Sequence, residues 1–508
     1  MTGAGGWIVG LLSAAVAVAH VVICALALGV LPGNRKPSTA MAWLILILAV
    51  PFLGFVAFLF FGSTSVGRTR RAWQRDVNAR VLDAVATRAP ADAPSPGDHD
   101  GRDAPVGATA AEVDGLARLN RHLGALPMVE GNEVEVLPDY LGSIEAMRVA
   151  VAGAQRFVHV EFYIAAWDEV TDGFFTELVA AAARGVEVRL LFDHLGTRAV
   201  PGYKDFLKRL EGTGVAWAPM LPIGLRKGQV RRPDLRNHRK VVVVDGHVGF
   251  IGSQNLIEPG YDDEGNHRRG LTYVELVVRL SGPVVRQLAV VFATDWVAET
   301  GEELAHTLGE TAAEPGSARS PETVAGVACQ VVPSGPGFVT ENNLRLFNSM
   351  LYSARASVSV TSPYFVPDET LLYAMTTAAQ RGVHVELFVS AVADQFMVFH
   401  AQRSYYQALL EAGVRIWLYP EPYVLHAKFF TVDDALAVVG SSNMDYRSFA
   451  LNYECVVLAS SPELVTRLRV VQDDYRRLST ELTAEEWSRR GWRAAYVDNL
   501  MRLTAALQ

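Results

Sequence analysis

One pattern occurs twice in this 508-residue chain and constrains it more than any other feature. The first copy reads His238-x-Lys240-x4-Asp245-x6-Gly252-Ser253-x-Asn255. The second reads His426-x-Lys428-x4-Asp433-x6-Gly440-Ser441-x-Asn443, with identical spacing. Of 12 histidines, only these two have a lysine two residues on. The surroundings repeat as well. An apolar strand, Phe157–Ile164, leads to a helical stretch stopped at Gly185 and a second strand through Phe192. Val358–Phe365, Gly382 and Val389 follow the same order about 200 residues later. Each half then reaches a third strand signal, Gly214–Trp217 and Gly413–Trp417. Strand, helix, glycine stop and strand make a βαβ unit. A duplicated α/β lobe is the economical fold.

Local geometry explains the spacing. Residues two apart on a strand share a face, which puts each histidine beside its lysine. Asp245-Gly246 and Asp433-Asp434 are turn signals. The return strands, Val248–Ile251 and Ala435–Val439, end in Gly-Ser-x-Asn and bring those polar groups back beside histidine and lysine. Two lobes facing across a pseudo-twofold axis supply two of each group, a set that suits a phosphodiester. Lys240 and Lys428 can neutralise non-bridging oxygens, and Ser253, Asn255, Ser441 and Asn443 can donate hydrogen bonds to them. One histidine can attack phosphorus while the other handles the proton of the leaving and incoming alcohols. The lysines supply the positive charge, and neither motif has clustered metal ligands, so no metal and no cofactor is expected. A catalytic imidazole needs an orienting acceptor. Each half offers a carboxylate on the strand after its motif, Glu275 and Glu454, and a charge inside an apolar strand is costly unless paired. Asp245 and Asp433 complete the candidate catalytic set, although their turn positions suit holding a loop better than touching phosphate.

The N-terminal region is of another kind. Trp7–Leu31 and Ala40–Phe61 carry no charge, and each is long enough to cross a hydrocarbon core of about 30 Å as a helix. The first run is too long for a cleaved signal, lacks a basic start and is followed by a second. Arg68, Arg70, Arg71, Arg75 and Arg80 follow the second run, against Arg35 and Lys36 between the runs. The basic excess places the C-terminal part in the cytoplasm, with the N-terminus on the same side. The domain plan is a transmembrane hairpin (1–67), a basic flank and flexible linker (68–115), a first lobe (116–308), a linker (309–323) and a second lobe (324–508). Three cysteines, Cys24, Cys329 and Cys455, cannot make a disulfide framework and read as small buried hydrophobes.

The paired motifs resemble those of the phospholipase D superfamily. The N-terminal hairpin, Ser362-Pro-Tyr-Phe-Val-Pro-Asp368 and the run Gly440–Glu454 are similar to bacterial cardiolipin synthases. This resemblance implies two α/β/α sandwich lobes with the site at their interface. It also implies phosphatidyl transfer between two phosphatidylglycerols, giving cardiolipin and glycerol. It makes His238 and His426 the catalytic pair, with His238 as nucleophile. Anionic membrane lipids are the expected partners, and a homodimer is left open. The segment Tyr261–Arg269 departs from the expected pattern.

Other readings share parts of this evidence. A hydrolytic phospholipase D or another phosphatidyltransferase would use the same site with a different acceptor. A nuclease of the superfamily needs a long basic groove with stacking aromatics, which a formal net charge of −8 and the membrane hairpin disfavour. An inactive scaffold is disfavoured by the intact motifs. Arg226–Lys240, rich in basic residues, reads as a loop at the mouth of the site facing anionic lipid.

Overall fold

The computed structural model describes residues 3–30, 37–62, 76, 110–223, 234–304, 307, 320–338, 341–392 and 395–504. The loop between the apolar runs, nearly all of the basic flank, the linker 87–109, the basic run 224–233 and most of the second linker lie outside the described residues. The N-terminal helices and the large C-terminal part form separate compact units.

The N-terminal unit contains α1 (Gly3–Val30), α2 (Pro37–Ala49) and α3 (Pro51–Phe61). The sequence predicts one continuous helix over Ala40–Phe61, and the structure breaks it. Val50 leaves the helical region at φ −140°, ψ 79°, immediately before Pro51. Proline lacks an N–H, and its ring pushes the preceding residue toward extended backbone. α3 folds back along α2, so the Trp43 and Phe58 ring centroids are 5.4 Å apart. A Cβ on Gly54 would sit 2.8 Å from the Leu46 carbonyl oxygen, and only glycine lets the two backbones approach this closely. In α1 the unbroken run of described side chains is 13–29. Among the described residues no helix is long and apolar enough to cross a membrane.

The large unit is built on one 15-stranded sheet. The first half supplies β1 (Val129–Leu137), β2 (Phe157–Phe162), β3 (Glu187–Asp193), β4 (Ala216–Met220), β5 (Val241–Val244), β6 (Val248–Gly252) and β7 (Val277–Ser281). The second supplies β8 (Thr323–Ser334), β9 (Ser357–Thr361), β10 (His384–Ser390), β11 (Arg415–Tyr419), β12 (Phe429–Val432), β13 (Leu436–Gly440), β14 (Glu454–Ser460) and β15 (Thr480–Leu482). The order across the sheet is β15-β11-β10-β9-β12-β13-β14-β8-β1-β7-β6-β5-β2-β3-β4. Read outward from the central antiparallel β8–β1 pair, both halves run in the same sequence of strands, with β15 as an extra edge in the second. Four later helices matter below: α4 (Val284–Thr300), α5 (Phe396–Arg403), α6 (Pro462–Leu478) and α7 (Trp492–Arg502).

On one face of the sheet, α4 and α6 cover a core drawn from both halves, including Val243, Leu288 and Phe292 with Phe429, Val457 and Leu468. Fully burying one such side chain is worth about 1.5–3 kcal/mol, so this shared layer binds the halves into one body. On the other face the halves keep separate cores, Val158 and Phe250 with Phe174 in the first and Val360 and Phe430 with Phe347 in the second. This is a duplicated α/β arrangement, as the sequence repeat predicts. The helix Ala110–Gly124 starts the first lobe in sequence, yet its Leu116 is buried in the second half's core. Gln330 accepts from Asn120 at 3.1 Å and donates to the Leu126 carbonyl at 2.7 Å. Cys329 and Cys455 are buried, whereas Cys24 is half-buried.

Candidate active site

His238 precedes β5 and His426 precedes β12, and each motif continues through its strand into a tight turn. The positive φ of Asp245 (53°) and Gly246 (76°) closes the first turn. The aspartates lie at the opposite end of these strands from the histidines. Asp245 accepts backbone N–H bonds from Gln155, Arg156 and Phe157 at 2.7–2.8 Å. Asp433 does the same for Arg355, Ala356 and Ser357. A carboxylate holding three amides fixes the start of the neighbouring antiparallel strand.

The site itself is assembled by an exchange between halves. The His238 N–H donates to the Tyr453 carbonyl at 2.8 Å, and the His426 N–H donates to the Val274 carbonyl at 2.8 Å. The residues after those carbonyls are Glu454 and Glu275. Each glutamate is therefore delivered to the other half's histidine. Glu275 Oε1 lies 2.7 Å from His426 Nδ1. The Glu454 carboxylate lies 3.0 Å from His238 Nδ1, which also faces the Ser441 carbonyl at 3.1 Å. The short parallel pairing of Tyr423–Leu425 with Thr272–Val274 reinforces the second junction. Gly252 and Gly440 are required here, because a Cβ at either would collide with the Leu276 or Cys455 carbonyl on the glutamate-bearing strand, at 2.2 and 2.4 Å.

Both lysines are buried and donate to the carbonyl of their own histidine at 2.7 Å. Lys428 Nζ also lies 3.1 Å from both ring nitrogens of His426. The serines hold strands and carboxylates. Ser441 Oγ donates to Glu454 at 2.5 Å and accepts from the Cys455 N–H, and Ser253 Oγ accepts from the Leu276 N–H at 3.0 Å. Both hydroxyls are thus engaged within the protein. Asn255 is also engaged, accepting from the Ile164 N–H and donating to Tyr261 Oη at 3.0 Å. Asn443 is buried, and its Oδ1 has no hydrogen-bond partner.

Electrostatics separates the halves. Burial pushes His238 well below its ordinary value, and Lys240, Lys428 and His426 push it further. Burial also lowers His426, but Glu275 opposes the shift. Burial raises Glu275, yet His426 and Lys428 outweigh it and hold the carboxyl down at about 2. For Glu454 burial prevails over Lys240, and the carboxyl rises to about 7. Burial also brings Lys240 down to about 7.

The tyrosines around the imidazoles were not legible as site residues. Tyr163 lies 5.1 Å from His238, and Tyr273, Tyr261 and Tyr364 lie 5.4–6.1 Å from His426 by ring centroid. Tyr163 follows β2 and Tyr364 follows β9 one place apart in the repeat, which was the available signal. Tyr261 opens the departing segment, stacks on Tyr273 at 4.0 Å and donates to Glu275 at 2.8 Å. The basic residues of the described part of the run, Arg236, Arg239 and Lys240, are buried. Arg236 is buried against Asp193, Arg239 against Asp295, and Lys240 is buried in the site.

Comparison with known proteins agrees with this architecture. The family model described as "Cardiolipin synthase, PLD-like domain" matches residues 149–296 and 347–473, and one described as "Phospholipase D-nuclease N-terminal" matches 14–63. Cardiolipin synthase A of Proteus mirabilis is 32% identical over 90% of each chain. That of Serratia proteamaculans is 33% identical over 94% of each. Among solved structures, phosphatidylserine synthase from Haemophilus influenzae Rd KW20 superposes with a TM-score of 0.55 at 15% identity, covering 77% of this chain and 97% of that one. Two family-model matches in one sheet, together with relatives this similar along nearly the whole length, place the chain in the cardiolipin synthase family of phospholipase D-like proteins.

Proposed function

We propose that the protein is a membrane phosphatidyltransferase that converts two phosphatidylglycerols into cardiolipin and glycerol. The observation that carries this is the paired imidazoles. Each has Nδ1 turned to a buried carboxylate, which leaves Nε2 for chemistry. His238 is held neutral by burial and by the flanking ammonium groups, which suits a nucleophile. Its Nε2 attacks phosphorus of the first lipid, and the bond from phosphorus to the glycerol oxygen breaks. His426, whose imidazolium form Glu275 favours against the lowering by burial, gives its Nε2 proton to the departing glycerol. The phosphatidyl group then rests on His238. In the second half-reaction His426 takes the proton from a hydroxyl of the second phosphatidylglycerol, whose oxygen attacks phosphorus and releases His238. Lys240, Lys428 and Asn443 are the groups assigned to the non-bridging oxygens.

Incubation with phosphatidylglycerol alone tests this reading. Cardiolipin plus glycerol supports it, whereas phosphatidic acid plus glycerol indicates a hydrolase using the same site. A chelator should leave the activity intact, since the lysines carry the charge neutralisation. Loss restored by one specific ion would contradict the mechanism.

The N-terminal helices are assigned to the membrane. The run Trp7–Leu31 carries no charge and has, in sequence, the length that a crossing needs. α2 and α3 double back at Pro51 and enter as a re-entrant pair. With one crossing, Arg35 and Lys36 join the arginines after α3 on the cytoplasmic side, with the lobes. The N-terminus then lies outside, opposite to the arrangement two crossings would give, and a reporter fused at Met1 distinguishes the two.

A further inference from the structure

α7 is amphipathic in the inverse sense. Trp492, Tyr496, Leu500 and Leu503 recur at helical spacing on one face, and that face is open to solvent. Trp492 is 75% exposed, Tyr496 64% and Leu503 81%, while Asp498 on the same helix is fully buried. The reason is its packing on α5. Asp498 Oδ1 accepts from His400 Nδ1 at 2.7 Å and from Arg403 Nε at 3.3 Å, so the charged residue joins the two helices and the apolar stripe points away. α5 extends the stripe with Phe396, 62% exposed, and Met397.

Two observations say what this surface meets. The first is its continuity with the site. Gln395, the residue before α5, donates to Tyr364 Oη at 3.1 Å, and the Tyr364 ring lies 6.1 Å from His426. Phe399 of α5 lines a crevice with Pro363, Tyr364, Val392 and Val424. A two-chain phospholipid with its phosphate between the histidines must also bring its acyl chains to the surface, and this apolar face lies on His426's side. The second is charge. Arg493 and Arg502 are exposed along α7, Arg489 just before it pairs with Glu485, and the only acid within α7 is the buried Asp498. Tryptophan and tyrosine beside arginine are the groups that settle at the boundary between headgroups and acyl chains, and each basic residue there draws anionic lipid.

We propose that α5 and α7 form an interfacial docking surface for an anionic phospholipid bilayer, seated at the mouth of the site so that substrate enters His426's side directly from the leaflet. This rests on the lipid-transfer reading, and the test separates the two. In the full chain carrying Cys24→Ser, the remaining cysteines are buried, and a fluorophore is placed at Trp492→Cys. In vesicles of phosphatidylglycerol with brominated acyl chains its emission should be quenched. The same label at Val470→Cys, exposed on α6 against the opposite face of the sheet, should not be. Equal emission at both positions overturns the proposal whatever the enzyme makes. Quenching at 492 without any cardiolipin product would overturn the functional reading and leave the docking surface standing. Independently, Trp492→Ser, Tyr496→Ser and Leu503→Ser together should raise the bilayer concentration needed for half-maximal rate by about tenfold. They should leave the rate on monomeric short-chain phosphatidylglycerol unchanged, and Trp492→Phe with Tyr496→Phe should restore the bilayer reaction. Equal loss on both substrates, or no loss on either, overturns it.

Discussion

His238 and His426 occupy matching positions in the repeat, yet the groups behind them differ. Glu275, behind His426, receives the Tyr261 phenol at 2.8 Å and is held ionised. Glu454, behind His238, receives the Ser441 hydroxyl and rises to about 7. The layer below differs as well. Under the first motif, Arg239 pairs with Asp295 close to Glu161, whose carboxyl burial raises to about 7. The equivalent places in the second half hold Ala427 and Thr361. Strand order is thus common to the halves, while charge is set by residues that do not repeat. A duplicated frame can in this way give two identical side chains unlike tasks.

The largest effect expected is from the histidines. His238→Ala and His426→Ala should each lower cardiolipin formation by about 10³-fold or more while the protein stays folded. After a quench, phosphorus label should reside on His238. Finding it on His426 would reverse the comparison without changing the chemistry. The carboxylates come next. Glu275→Gln should cost about 10²–10³-fold, and Glu454→Gln clearly less, because its partner works as a neutral imidazole. Equal losses in kcat would remove the asymmetry.

Asp295→Ala leaves Arg239 buried without its partner and should destabilise the fold by about 3–5 kcal/mol, read as a lower denaturation midpoint. The second half has no counterpart to this pair. Glu161 gives a pH signature. Its folded value of about 7 lies above the ordinary carboxylate range. Its contribution to stability is therefore complete below that ordinary range and is lost as pH rises through about 7. Glu161→Gln should flatten the fall in melting temperature between about pH 5 and about pH 8, and an unchanged slope would contradict this. The smallest effect is expected from Tyr261→Phe. It removes one hydrogen bond to Glu275, worth about 1.5–3 kcal/mol for a charged acceptor. It should lower kcat, with little change in KM, and shift the limb of the pH–rate profile that reports His426. Ser441→Ala, which removes the hydroxyl bond to Glu454, should not move that limb.

Much of the α/β frame was legible because its signals are local. Strand alternation, glycine stops and the Asp-Gly turn each depend on a few neighbouring residues, and their repetition about 200 residues on required only comparison of the chain with itself. The site residues could be named for the same reason, since two apart on a strand means one face. The Val50-Pro51 break was also written locally, but its consequence was not. An apolar run satisfies a length criterion whether it is straight or folded back, and the Trp43–Phe58 contact decides between them.

What the sequence by itself determined was therefore the duplicated lobe, the histidine–lysine pairs, the candidate carboxylates and the class of chemistry they suit. The tertiary structure alone decided how these groups are joined. Glu454 reaches His238, and Glu275 reaches His426, because backbone bonds from His238 to Tyr453 and from His426 to Val274 cross between the halves. It also turned Asp245 and Asp433 away to neighbouring loops, engaged the serines with the strands, and buried Asp498 so that Trp492 faces outward. Hydrogen bonds and burial of this kind join residues far apart in the chain. Their partners are chosen by which surfaces pack, and no spacing in the sequence records that choice.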